Sequence, residues 1–172
     1  MMRTPPLRLR NRLAETILLA LSDEAARRQL SALDFAWLVD APADEAALVS
    51  ARARRASEAL AACPTTAAPS SADEALAGAA VLFDAGLYFE VHELLEPHWV
   101  RATGAERQAL QGLIQIAVAF QHRDNGNVEG ARSLLVDGGA RLREGRLRGL
   151  DLEGFARAAS VADTVPRFPR TH

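Results

Sequence analysis

The chain has 172 residues, 49% of them hydrophobic, with a formal net charge of −2. These values suit one domain with a real core, or a small domain with an extension; they exclude a chain disordered throughout and a polyanion partner drawn by bulk charge. All 20 basic residues are arginine, so a count of arginines carries no functional argument. Cys63 is the single cysteine, which excludes an intramolecular disulfide framework and a cysteine-based zinc site. Ile17 to Leu21 follows Arg3, Arg8, Arg10 and Arg12 as a signal peptide's apolar stretch would. It is short, however, with Glu15 just before and Asp23-Glu24 just after. No apolar run has the length of a bilayer span. A cytoplasmic protein without a membrane partner is expected.

From the N-terminus, Leu9, Leu13, Ile17, Ala20 and Leu21 recur at helical spacing and predict a helix over 7–21. Ser22 is placed to cap a second helix running to about Val39 through Leu30, Leu33, Phe35 and Trp37. Pro42 suits the first turn of a third helix, to about Ala62, with acids early and arginines later. Residues 1–62 thus read as a helical N-terminal region. Residues 63–72, with Pro64, Pro69 and no large apolar side chain, read as an exposed linker.

From 73 to 163 the spacing predicts a helical bundle, with 164–172 as a tail. Ser71 and Glu74 form a capping-box pattern before a helix to about Ala85, which Gly86 is placed to end. A helix starting near Tyr88 meets Pro97, which is expected to bend or stop it near Glu93–Glu96. A helix over about 105–125 follows Thr103-Gly104, then one over 128–143 capped by Asn127, with Gly138 on its apolar face. Asp151 caps a last helix, 152–163. Phe83-Asp-Ala-Gly86 and Arg123-Asp-Asn-Gly126 lie forty residues apart, each before a helix carrying a Leu-Leu pair (Leu94-Leu95, Leu134-Leu135). Both read as tight turns of helical hairpins. The fold class is therefore all-α: antiparallel hairpins packed as a bundle, with an additional helical N-terminal region.

The polar residues that invite a functional reading lie on two of these helices. His92-Glu93-x-x-Glu96 resembles the zincin His-Glu-x-x-His pattern, but glutamate replaces the second histidine and Pro97 interrupts the helix. His92 and Glu96, at i and i+4, suit two ligands of a carboxylate–imidazole metal site; His98 points away from them. Tyr88, Val91, Leu95 and Trp99 mark one apolar face, with His92 inside it and Glu96 on its flank. On the next long helix Gln108, Gln111, Gln115 and His122 form a narrow polar stripe. Amides donate and accept without a charge to desolvate, which suits a face packed against other polar groups. An ordinary solvent face and a structural network between hairpins explain the same stripe.

Gly86-x-Tyr-Phe-Glu90-x-His92-Glu93-x-x-Glu96-x-x-Trp99, Gln111-Gly-Leu-Ile-Gln115, His122 and Gly126-Asn127-x-x-Gly130-Ala131 together resemble a bacterial and archaeal family, the small helical domain of unknown function numbered 309. The resemblance covers roughly residues 74–145. It implies a bundle of antiparallel helices and carries no established activity.

The combined expectation is a polar cluster of His92, Glu93, Glu96, Gln111, Gln115 and His122, formed where two antiparallel helices meet. In a binding or interaction module that cluster is buried, and the outer surface of the stacked hairpins takes a protein partner or a second copy of the chain. In the alternative, a metal-assisted hydrolase or small-ligand binder, His92, Glu96 and His122 hold a divalent metal. No basic–aromatic interleaving supports nucleic-acid binding. There is no phosphate-binding glycine loop, and no serine or cysteine in a nucleophile setting.

Overall fold

The computed structural model describes residues 3–147, 149–161 and 164–170. Among them the secondary structure is helical, with no strand: α1 (Leu7–Leu19), α2 (Glu24–Ala32), a 3-10 turn (Ala36–Leu38), α3 (Ala43–Ala61), α4 (Ala72–Asp84), α5 (Tyr88–Arg101), α6 (Gly104–Asp124), α7 (Val128–Glu144) and α8 (Leu152–Ala159). The chain divides into two compact units, Met1–Ser70 and Ser71–His172.

In the first unit α1, α2 and α3 pack on one another around Leu13, Ile17, Leu30, Val49 and Leu60. All five apolar positions read for the first helix are buried. The second helix departs from expectation at both ends. Asp23, not Ser22, is the cap, its carboxylate accepting from the N–H groups of Ala25 and Ala26. An ionised acceptor at a helix N-terminus also interacts favourably with the dipole, which a hydroxyl does only weakly. The helix ends at Ala32 instead of Val39, because Leu33 adopts the left-handed conformation (φ 55°). Leu33 N–H then bonds Leu30 O and Asp34 N–H bonds Gln29 O, a closing pattern that satisfies the last carbonyls. The Gln29 amide, donating to Asp34 O at 2.9 Å, braces this turn.

The start of the proline-containing segment is held, not free. The Arg27 guanidinium donates to the carbonyls of Ala20, Leu60, Cys63 and Pro64. Thr66 N–H bonds Leu21 O, and the Thr65 hydroxyl bonds Glu24.

In the second unit consecutive helices are neighbours: α4 packs on α5, α5 on α6, α6 on α7 and α7 on α8. The two turns forty residues apart are built alike. Gly86 (φ 74°) and Gly126 (φ 83°) take the left-handed conformation. In the first, Gly86 N–H bonds Phe83 O and Leu87 N–H bonds Leu82 O; in the second, Gly126 N–H bonds Arg123 O and Asn127 N–H bonds His122 O. A side chain at either glycine would be strained, so the repeated Asp-x-Gly is a conformational requirement. Ser71, Asn127 and Asp151 cap α4, α7 and α8. The last helix ends at Ala159, short of the expected 163, with Ser160 as its cap; residues 162, 163, 171 and 172 lie outside the described residues.

Phe83 is the hub of the core. Its ring lies 5.2 to 5.6 Å from those of Tyr88, Phe120, Phe155 and Phe168, mostly edge to face, the arrangement that suits aromatic quadrupoles.

Candidate functional site

Pro97 does not stop α5, which runs through it to Arg101. Proline removes one ladder bond, to the carbonyl four residues earlier, and the last turn is secured from outside. Arg107 of α6 donates to the carbonyls of Trp99, Val100 and Ala102, the nearest at 2.9 Å. Its guanidinium also lies over the Trp99 ring, 4.5 Å from the centroid. A cation at a helix C-terminus satisfies orphan carbonyls and complements the dipole.

Tyr88, Val91 and Leu95 of the read face are buried, and the buried arc of α5 extends beyond them on one side. Leu87, Glu90, Val91, Leu94 and His98 line it at three- and four-residue spacing, and Glu90 and His98 are its buried polar residues. Both were absent from the candidate set, although that spacing was legible. α5 lies between α4 and α6, so its apolar arc is wide enough to carry them inward. His98 titrates below the ordinary imidazole range: burial disfavours its charged form and Arg101 adds repulsion, with Glu106 and Glu74 pulling the other way.

His92, Glu93 and Glu96 lie on the flank of that arc, partly exposed instead of buried as expected, because the neighbouring helices cover the other side of α5. Their side chains are 29%, 38% and 47% exposed. The imidazole has a carboxylate on each nitrogen: Nδ1 is 3.1 Å from Glu93 Oε1, and Nε2 is 3.9 Å from Glu96 Oε1. One ligating atom from each of the three falls within 4.8 Å of the others. The Phe89 ring, 6.2 Å from that of His92, closes one side.

The other three candidates lie apart from this triplet, and His122 is engaged elsewhere. Asn127 Oδ1 accepts from Gly130 N–H, which turns its amide nitrogen to His122 Nδ1 at 2.8 Å. His122 therefore accepts at Nδ1 and braces the α6–α7 turn. The glutamine stripe runs along α7. Gln108 Oε1 accepts from Arg141 at 2.8 Å, and the Gln115 Cβ lies beside Gly138. Gln111 is half-buried. Among the described residues, no hydrogen bond or ion pair joins His92, Glu93 or Glu96 to Gln111, Gln115 or His122. The reason is Gly112, on the same side of α6 as the stripe. Without a side chain there, α7 approaches closely and covers the amides itself.

As arranged, His92 Nε2 and Glu96 can share a cation, and Glu93 can fix the tautomer by accepting from Nδ1–H, the role a carboxylate plays behind many metal-bound histidines. Two ligands at about 2.1 Å in tetrahedral geometry stand about 3.4 Å apart, so the observed 3.9 Å is slightly open.

No curated protein and no solved structure matches the chain. A family model does, over residues 76–134, which takes in most of α4, all of α5 and α6 and the first turns of α7. The span holds His92, Glu93 and Glu96 together with both repeated turns and Gly112. Through these residues the bundle resembles the family described as a domain of unknown function, DUF309.

Proposed function

We propose that the bundle is a binding module whose contact surface is the outer flank of α5, formed by His92, Glu93 and Glu96. The observation that carries this reading is the position of the three polar residues. They meet on the surface, half-exposed, with the imidazole between two carboxylates. An acidic strip suits a partner that brings a guanidinium or ammonium group, since charge complementarity supplies steering and register. Neither a reaction nor a bound small molecule is needed to account for it.

The test is a charge reversal in the full chain, Glu93→Arg with Glu96→Arg, compared with Glu129→Arg on the exposed start of α7. Partners recovered by the parent chain, in salt-sensitive fashion, are lost with the first variant and kept with the second. Equal recovery by all three removes α5 from the contact surface.

A second reading, metal-assisted hydrolysis or small-ligand binding at the same residues, is favoured by the proximity of three ligating atoms. It is weakened by their arrangement. Catalytic zinc takes three protein ligands, whereas Glu93 sits on the imidazole nitrogen away from Glu96, and His122 is held by Asn127. Elemental analysis of the untagged protein decides it: stoichiometric zinc, manganese or iron selects the second reading, and none retains the first.

A further inference from the structure

Residues 164–170, which the sequence reads as a tail, are bound to the bundle. Phe168 is 2% exposed, and its ring lies 5.4 Å from Phe83 and 5.7 Å from Phe155 of α8. Its backbone N–H donates to Asp84 Oδ1 at 2.8 Å. The other carboxylate oxygen pairs with Arg170 at 2.8 Å and with Arg167 at 3.6 Å. Asp84 is the last residue of α4, where a carboxylate meets the negative end of its own helix. It stands there against local preference, and the N–H and two guanidiniums of this segment compensate it.

The hold is concentrated at one point. The segment has no regular secondary structure, and Phe168 is its one buried side chain. Arg167 is 85% exposed and Arg170 48%, and pairs made by such side chains contribute little. Beside Pro169 and Arg170 lies a groove of about 480 Å³ that follows α4 past Ala80, Ala77 and Leu76 to Asp73. An aromatic socket, a carboxylate that takes a main-chain N–H and its flanking cations, and an adjoining apolar groove are the parts of a peptide-recognition site.

We propose that the groove along α4, with the socket of Phe83 and Phe155 and the Asp84 carboxylate at its end, binds an extended peptide carrying an aromatic residue between arginines, and that residues 164–170 occupy it in cis. A partner peptide of the same chemistry displaces them. The tethered segment competes at high effective concentration, so it sets the threshold a partner must exceed. This site is separate from the α5 flank, and either can stand without the other.

The probe is a fluorescein-labelled peptide with the sequence of residues 164–170, Thr-Val-Pro-Arg-Phe-Pro-Arg, titrated by anisotropy into full-length protein. Phe168→Ala empties the socket and binds the peptide saturably. The parent chain binds it about tenfold more weakly or less, because the cis segment competes. Adding Asp84→Ala to Phe168→Ala weakens binding about tenfold or more, as expected where a charged acceptor is lost. Absence of saturable binding to folded Phe168→Ala, or equal affinity for it and the parent, overturns the proposal. If circular dichroism shows Phe168→Ala unfolded, Phe168→Leu replaces it, weakening the one anchor while leaving the socket filled. That variant binds the peptide more tightly than the parent does, and equal binding again overturns the proposal.

Discussion

Gly112 and Gly138 bring the backbones of α6 and α7 into contact: a Cβ on Gly138 would stand 3.0 Å from the Gly112 carbonyl oxygen, and one on Gly112 would stand 2.9 Å from that of Gly138. A Cβ on Gly112 also meets the Leu142 side chain at 2.7 Å. Alanine favours a helix over glycine by up to about 1 kcal/mol, whereas overpacking destabilises by about 1–3 kcal/mol. The obstructing carbonyl cannot rotate aside, so the second effect wins and Gly112→Ala lowers stability. Gly139 reverses the balance, since its nearest contact would be the Ala156 Cβ at 3.9 Å. Gly139→Ala is expected to stabilise by about 0.5–1 kcal/mol. Urea denaturation of the two variants checks both signs.

Arg107 secures the C-terminus of α5 through three carbonyls and the Trp99 ring. Arg107→Ala exposes those carbonyls and the ring, and is expected to destabilise by about 1–2 kcal/mol. Arg107→Lys recovers the charge but not the planar fork, so it restores only part of the loss. Thermal melts of the pair measure the difference.

Limited proteolysis is expected to cut at 67–70 before 63–66, although both fall in the segment read as a linker. Arg27 holds the Cys63 and Pro64 carbonyls, and a protease must extract the backbone it cleaves. Arg27→Ala should open 63–66 to cleavage, as mapped by mass spectrometry. Identical cutting in parent and variant would show that Arg27 does not protect the segment.

His98 gives stability a pH dependence of known sign. Its pKa is lowered on folding, chiefly by burial and then by Arg101, so below an ordinary value of about 6.5 the unfolded chain takes up the proton first. Stability is therefore full above that value and falls as the pH drops through it toward the folded pKa. His98 meets Glu74 of α4 and Glu106 of α6 as well as Arg101 of its own helix; these glutamates reduce the effect without cancelling it. Urea midpoints at pH 7.5 and 5.5 should decrease for the parent chain and change less for His98→Gln.

Most helices, the caps of α4, α7 and α8 and the repeated glycine turns were legible because each depends on a few neighbouring residues: Ser71, Asn127 and Asp151 as caps, Gly86 and Gly126 after α4 and α6. What local pattern could not supply was partnership across the fold. Leu33 entering the left-handed region is decided by the bonds its turn closes, and nothing in its residue type announces that. On α5 Tyr88, Val91 and Leu95 are buried as the spacing implies, but the arc widens to Leu87, Glu90, Leu94 and His98 because the helix is packed between α4 and α6, which spacing alone does not reveal. Gln108, Gln111 and Gln115 read as a polar stripe, but their neighbour is α7, admitted by Gly112 and Gly138. The segment 164–170 looked like a tail because its one apolar anchor, Phe168, has no periodicity to betray it.

Of the candidate site, His92, Glu93 and Glu96 meet because they share one helix at short spacing, whereas His122 is taken up by Asn127 in a turn. Whether the triplet is a contact surface or a brace for α5 is decided by stability. Groups kept for binding add little to the fold, and surface substitutions usually change stability within about 0.5 kcal/mol. The most direct measurement is the thermal stability of His92→Ala, Glu93→Ala and Glu96→Ala beside the parent chain, with and without added zinc or manganese. The binding-module account predicts changes within about 0.5 kcal/mol for all three and no stabilisation of the parent by metal. Losses above about 1 kcal/mol in the variants would contradict it by making the triplet structural, and a metal-induced rise that disappears in His92→Ala would contradict it in favour of a metal centre.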